Sequence, residues 1–106
     1  MLLKDSDIII DCFDNTQGRQ IVQDHARSSG IATLHVGLFA DYGEVIWDDR
    51  YRVPRDVAGD ICDYPLARNL VLLNVAVAAE TILRYILTGK QDNWSVTLGD
   101  LAVRSM

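Results

Sequence analysis

Few residues of this chain have the type and setting for chemistry. Cys62 stands just before a long apolar segment that opens at Asp63-Tyr64-Pro65. A thiol near a helix N-terminus is drawn toward its thiolate, the nucleophilic form. The plainer alternative for Cys62 is a small residue in a loop. Asp14-Asn15 follows a short apolar run and precedes a helical pattern, where Asp and Asn are favoured as caps. Asn15 is the expected N-cap, accepting from the amides near Gln17 or Gly18. Arg19, four residues on, reads by itself as a solvated helix residue. His25 and His35 do not pair at metal-ligand spacing and read as fillers of a helix face and a strand. Cys12, Trp47 and Trp94 read as core. The cluster Asp48-Asp49-Arg50-Tyr51-Arg52 reads as a solvated loop.

These residues must be positioned by an α/β chain. Ile8-Ile9-Ile10 within Asp7 to Phe13 is near-continuously apolar and predicts a strand covered on both faces, as in a parallel sheet. In the helix that follows, Ile21, Val22, His25 and Ala26 share one face, Asp24 and Arg27 point elsewhere, and Gly30 suits the left-handed residue past its end. Residues 31–39 predict a second strand. Asp41-Tyr42-Gly43 predicts a turn, and Glu44-Val45-Ile46-Trp47 its hairpin partner. From Asp48 to Asp63 charge is dense and Pro54 and Gly59 interrupt, which predicts an exposed crossover loop. A long helix then opens at Pro65 and is apolar nearly all round to Glu80, with Leu66, Leu70, Leu73 and Val77 on it and Gly89 ending it. Trp94 to Leu98, and Leu101 to Arg104, close the chain as strands. The expected fold is α/β, three layers on a mixed sheet, in the order β-α-β-β-loop-α-β-β.

The 106 residues make room for one domain. Ten Lys and Arg against fifteen Asp and Glu give a net charge of -5, which disfavours nucleic acid because phosphate neutralisation needs a basic face. Two cysteines are too few for a disulfide scaffold. Without a signal-like start, a cytoplasmic protein with reduced thiols is expected. The apolar stretch Leu70 to Leu87 contains Asn74, Glu80, Thr81 and Arg84. Two charges in mid-bilayer cost about 2.5–3.5 kcal/mol each, so a buried soluble helix is expected and no membrane.

The run Asp11-Cys12-Phe13-Asp14-Asn15 with Arg19 resembles the D-x-x-D-N-x-x-x-R segment of the ThiF and MoeB type adenylyltransferases, which activate ubiquitin-like and sulfur-carrier proteins. His35-Val36-Gly37 resembles the small-residue turn of that family's next strand, and Gly43 the glycine of its hairpin. The segment from Pro65 through Ala79-Glu80 to Ile86 resembles its long helix. The likeness runs from Asp7 to Leu101. It implies a two-step reaction in which a carrier protein's C-terminal carboxylate attacks the α-phosphate of ATP, giving an acyl-adenylate and pyrophosphate, often followed by transfer to a thiol or persulfide. Asp14 would correspond to the magnesium ligand, a role that suits a carboxylate because Mg²⁺ prefers hard oxygens. Asn15 would lie near the nucleotide, and Arg19 would offset charge on phosphate oxygens. Cys62 lies close to where relatives carry the cysteine that receives the acyl group.

The departures from the family are equally informative. The seven glycines, at 18, 30, 37, 43, 59, 89 and 99, never form the G-x-G-x-x-G phosphate cradle. The two CxxC pairs that hold zinc in many members are absent, so no zinc is expected. The chain therefore reads as the second half of a Rossmann-like ThiF fold, inactive by itself and binding neither ATP nor magnesium tightly. The competing expectation is a non-catalytic module that docks a partner through the hairpin and the Asp48 to Asp63 loop. Under either, an open sheet edge at the first strand and the apolar long helix predict a homo-oligomer.

Overall fold

The computed structural model describes residues 7–13, 15–53 and 68–106. Strand β1 (Ile8–Asp11) leads to helix α1 (Thr16–Ser29), then to β2 (Ala32–Phe39) and β3 (Tyr42–Trp47). A single 3-10 turn at Asp48–Arg50 follows, and after it helix α2 (Arg68–Thr88) and strands β4 (Trp94–Thr97) and β5 (Ala102–Ser105). The element order is the one that the apolar pattern predicts. The sheet runs β1-β2-β3-β4-β5, with β1 parallel to β2 and every later pair antiparallel. The parallel step is the one that passes through a helix, since parallel neighbours need a crossover where antiparallel ones need only a hairpin.

Two glycines show that the helices cover opposite faces. Gly37 pairs with Glu44 and Leu38 with Gly43, so Gly37 and Gly43 point to opposite sides of the sheet. A Cβ on Gly37 would meet the Arg19 guanidinium of α1, and one on Gly43 would meet the Asn74 amide of α2. Helix, sheet and helix make the three layers. On the α2 side Leu34, Val45, Trp47 and Ala78 form the buried core, with Ala32, Val36, Val77, Ile82, Tyr85 and Trp94 packed against it. Burying a large aliphatic or aromatic side chain contributes about 1.5–3 kcal/mol, so this layer supplies most of the apolar stabilisation.

Local chemistry sets the helix ends. The Asn15 side chain accepts from the Gly18 N–H at 2.7 Å, as expected of an N-cap. Gly30 at φ 72 and Gly89 at φ 75 take the left-handed conformation after their helices, their N–H groups bonding the carbonyls of Ala26 and Tyr85.

Four expectations shift. The buried face of α1 consists of Gly18, Arg19, Val22, Gln23 and Ala26, while Ile21 is exposed and His25 half-buried; the layer beneath offers polar partners that Arg19 and Gln23 satisfy. The hairpin turns at Ala40-Asp41, with Ala40 at φ 53, and Gly43 lies inside β3. Cys12 follows the last residue of β1 and is exposed. Helix α2 buries one face only, leaving Leu72 at 69% and Leu87 at 73% exposed. Its stretch Asn69–Thr88, at mean hydropathy 1.8, is long and apolar enough to cross a membrane by length and composition. The expected start of the helix at Pro65 lies outside the described residues.

Candidate functional site

On the α1 side of the sheet the interior is charged. Asp11, the last residue of β1, stands in register with His35 of β2, so both side chains point toward α1. His35 Nδ1 lies 2.6 Å from Asp11 Oδ2, and His35 Nε2 lies 2.8 Å from Asp48 Oδ1. The histidine is fully buried, Asp11 nearly so, and the Asp48 side chain is 13% exposed. A carboxylate only accepts. Both contacts are therefore hydrogen bonds when each ring nitrogen carries a proton, or when one carboxyl does.

Arg19 closes the cluster from above. Its Nη1 donates to Tyr51 Oη at 3.2 Å and to Asp11 Oδ2 at 3.4 Å, and its Nη2 donates to the Val36 carbonyl at 3.0 Å. The Tyr51 ring stacks on the His35 ring, centroids 3.7 Å apart and planes 8° from parallel. Gln23 Nε2 donates to the Tyr51 carbonyl at 3.0 Å, fixing the chain after the 3-10 turn against α1. β1, the 3-10 turn and the segment after it thus meet at one imidazole on β2, while α1 holds Asp11 and Tyr51 in place.

The electrostatics follow from this packing. Burial pushes the Asp11 carboxyl up, but the His35 hydrogen bond, the Phe13 N–H and the Arg19 charge together outweigh it and hold it below its ordinary 3.8. Burial pushes the Tyr51 phenol up, partly offset by Arg19. Although Cys12 is exposed, partial desolvation by its neighbours and then the Asp11 charge raise its thiol, so it is a protonated thiol at neutral pH and a poor nucleophile. Asp48 leads outward: its Oδ2 lies 3.7 Å from Arg27 Nε, beside a polar cleft of about 340 Å³ that Arg27, Thr33, Asp48, Asp49 and Gln91 help to line.

The sequence-predicted site residues are placed as follows. Arg19 is buried, and its guanidinium is bonded within the fold to Asp11, Tyr51 and Val36. Asn15 caps α1. Asp14 and Cys62 lie outside the described residues. Asp11, flanking the motif turn, turns out to be the partner of Arg19. Sequence reasoning misses His35, Asp48, Tyr51 and Gln23 as a group: His35 reads as a strand filler, and Asp48 and Tyr51 read as solvated loop. Tyr51 is in fact 2% exposed. A signal existed in the titratable residues that occupy positions in phase with buried ones, Asp11 two after Ile9 and Arg19 three before Val22. Among the described residues no group of three or more His, Cys, Asp or Glu is placed to hold a metal ion.

No family model matches the chain, and no curated protein matches it. The crystal structure of SeMet PaaA is similar in fold, with a TM-score of 0.59 at 14% sequence identity, over 99% of this chain and 43% of that one. At that identity the likeness concerns the fold. The chain spans less than half the length of the protein it matches.

Proposed function

We propose that this chain supplies the carboxylate-bearing part of a cytoplasmic, ATP-dependent adenylyltransferase of the ThiF type, acting on the C-terminus of a ubiquitin-like or sulfur-carrier protein. The observation that carries this reading is the folded form of the D-x-x-D-N-x-x-x-R segment. Its outer residues, Asp11 and Arg19, meet at 3.4 Å, and its Asn15 caps α1. Asp11 ends β1, a strand parallel to β2, and the carboxyl ends of such strands are where open α/β sheets bind their ligands. Asp11 and Arg19 act as positioning residues, since their charged groups are bonded to each other and to His35, Tyr51 and Val36. By the resemblance, Asp14 would hold magnesium, Asn15 would lie near the nucleotide and Cys62 would accept the acyl group. The 106 residues present contain no G-x-G-x-x-G turn, so they do not fit a complete ATP site by themselves. In the proposed reaction a carboxylate oxygen of the carrier bonds to the α-phosphorus of ATP while the bond to the pyrophosphate oxygen breaks.

The test is ATP–pyrophosphate exchange by this chain joined to, or mixed with, the polypeptide that provides a glycine-rich phosphate-binding turn. Exchange is expected to require the carrier protein and to fall by about two orders of magnitude or more in Asp14→Ala, the scale of losing one preorganised charge contact. Exchange retained in that variant removes the role given to Asp14. Calorimetric titration of the folded 106-residue chain with ATP and Mg²⁺ is expected to show no heat, and clear micromolar binding would overturn the division of the site between two segments.

A second reading, a non-catalytic docking module, is favoured by the apolar outer face of α2. It predicts partner binding indifferent to Asp14→Ala. In that reading Asp48 and Tyr51 do not dock a partner, because both face His35.

A further inference from the structure

The bridge across His35 closes only when it holds two protons. Each contact is short, 2.6 Å to Asp11 and 2.8 Å to Asp48, and each needs a proton between its heavy atoms. A neutral imidazole has a single N–H and a carboxylate has none. Without the second proton a nitrogen lone pair faces a carboxylate oxygen. The two ends are not equally free to respond. Asp11 is buried, its Oδ1 accepts from the Phe13 N–H at 2.9 Å, and Arg19 Nη1 stands 3.4 Å from its Oδ2. Asp48 is partly exposed on a three-residue turn beside the polar cleft, and its other oxygen lies 3.7 Å from Nε of Arg27, which is largely in solvent. The Tyr51 N–H closes that turn on the Asp48 carbonyl at 3.1 Å. From β3, Ile46 stands in register with His35 and carries no charge, and Glu44 acts on Tyr51 through its charge.

We propose that Asp11, His35 and Asp48 form a proton-held latch on the 3-10 turn. With both ring nitrogens protonated the imidazolium holds both carboxylates, and the turn lies closed on the sheet. As pH rises the bridge gives one proton to water. The N–H that remains stays on Nδ1, toward the carboxylate that is fixed in place, and Nε2 then repels Asp48 Oδ1. Asp48 and the turn swing away toward the cleft. Tyr51 stays behind, because its ring stacks on His35, its hydroxyl accepts from Arg19 and its carbonyl accepts from Gln23. The bond from the Tyr51 N–H to the Asp48 carbonyl is therefore the one that breaks. Opening also turns a carboxylate into the cleft that Thr33, Asp49 and Gln91 help to line, so the shape and the charge of the cleft change together. Burial of the ring keeps salt from screening the bridge. The latch does not rest on the adenylyltransferase reading.

Ring-nitrogen NMR of the histidine-labelled 106-residue chain tests the latch, with His25→Gln to assign the signals. The titration runs between about pH 5 and about pH 10, which brackets an ordinary imidazole near 6.5. At the acid end both His35 nitrogens are expected to carry protons, and with rising pH only Nε2 is expected to lose its own. Beyond that step the protection of the Tyr51 N–H, referred to an unstructured peptide at the same pH, should fall about tenfold per pH unit, the slope of an opening linked to one proton. Amides of the ladder between β3 and β4 should keep theirs. In Asp48→Asn the side-chain amide can donate to Nε2, so one ring proton is expected at every pH and the Tyr51 protection should not change. A His35 nitrogen without a proton at about pH 5, a proton lost first from Nδ1, or both protons kept at about pH 10 would each overturn the proposal. So would loss of the Nε2 proton with no change at Tyr51, or a pH-dependent Tyr51 protection in Asp48→Asn. Should that variant unfold, the native chain decides by itself.

Discussion

Asp11 and Arg19 lie eight residues apart and meet through one carboxylate oxygen, and that contact decides what each can do. A guanidinium that holds Asp11, the Tyr51 hydroxyl and the Val36 carbonyl together ties α1, β1, β2 and the segment after the 3-10 turn. Arg19→Ala would strand a buried carboxylate and a buried phenol at once. Breaking one side of such a pair costs about 3–5 kcal/mol where charge is left uncompensated, and His35 retains part of the compensation here. A loss of about 2–4 kcal/mol in urea denaturation is therefore expected. Arg19→Lys should recover only part of it, because one ammonium cannot reproduce a planar fork across three acceptors. A loss below about 0.5 kcal/mol, the range of an ordinary surface substitution, would show that the guanidinium pins nothing. This role was not legible beforehand. Arg19 meets Tyr51 across 32 positions and Asp11 meets His35 across 24, so no local pattern announces either contact.

Glycine makes the corresponding point for elements. Gly43 sits inside β3, where a Cβ would come within 2.6 Å of Asn74 Oδ1 and 3.2 Å of Leu38 Cδ2. Asn74 cannot retreat: it is fully buried and donates to the Gly37 carbonyl at 3.2 Å. At Gly18 a Cβ would meet the Phe13 ring at 2.5 Å, but Phe13 is 48% exposed and its ring can swing into solvent. Gly43→Ala is expected to cost about 1–3 kcal/mol as overpacking between β3 and α2, and Gly18→Ala to lie within about 1 kcal/mol of neutral, helped by helix propensity. Thermal melts of the two variants check the contrast, and equal losses would refute it. Element order and helix ends were legible because caps and apolar runs are local chemistry: Asn15, Gly30 and Gly89 each act within a turn of themselves. The position of the hairpin turn was not. Glycine normally marks the left-handed position there, and in this chain Ala40 takes it while Gly43 makes room for α2.

At the scale of the whole molecule the sheet separates an apolar side, packed under α2, from a charged side, packed under α1, and the two sides respond to different conditions. Acid acts on the charged side. The Asp11 carboxyl lies below 3.8 in the folded protein, so its contribution is fully present above 3.8 and is lost as pH falls through its folded value, where the unfolded chain has already taken up the proton. Asp100, brought to about 2 by hydrogen bonds from Arg104 and Thr97, titrates in the same acid range, but it stands in solvent and its pairing is screened by salt. Ionic strength therefore tells the two apart. Urea midpoints between about pH 2 and pH 6 should fall with acid in the native chain, and in ~1 M salt, where exposed pairs are screened beyond about 3 Å, the fall should persist. Asp11→Asn should flatten that limb at both salt concentrations, since the amide can still meet His35 but no longer titrates. Asp100→Asn should alter it less in ~1 M salt than at low salt, since salt weakens the Arg104 charge but not the contact hydrogen bonds. If the limb survives whole in Asp11→Asn, the acid sensitivity of the fold lies outside the His35 cluster, and the charged side of the sheet does not control how the protein responds to pH.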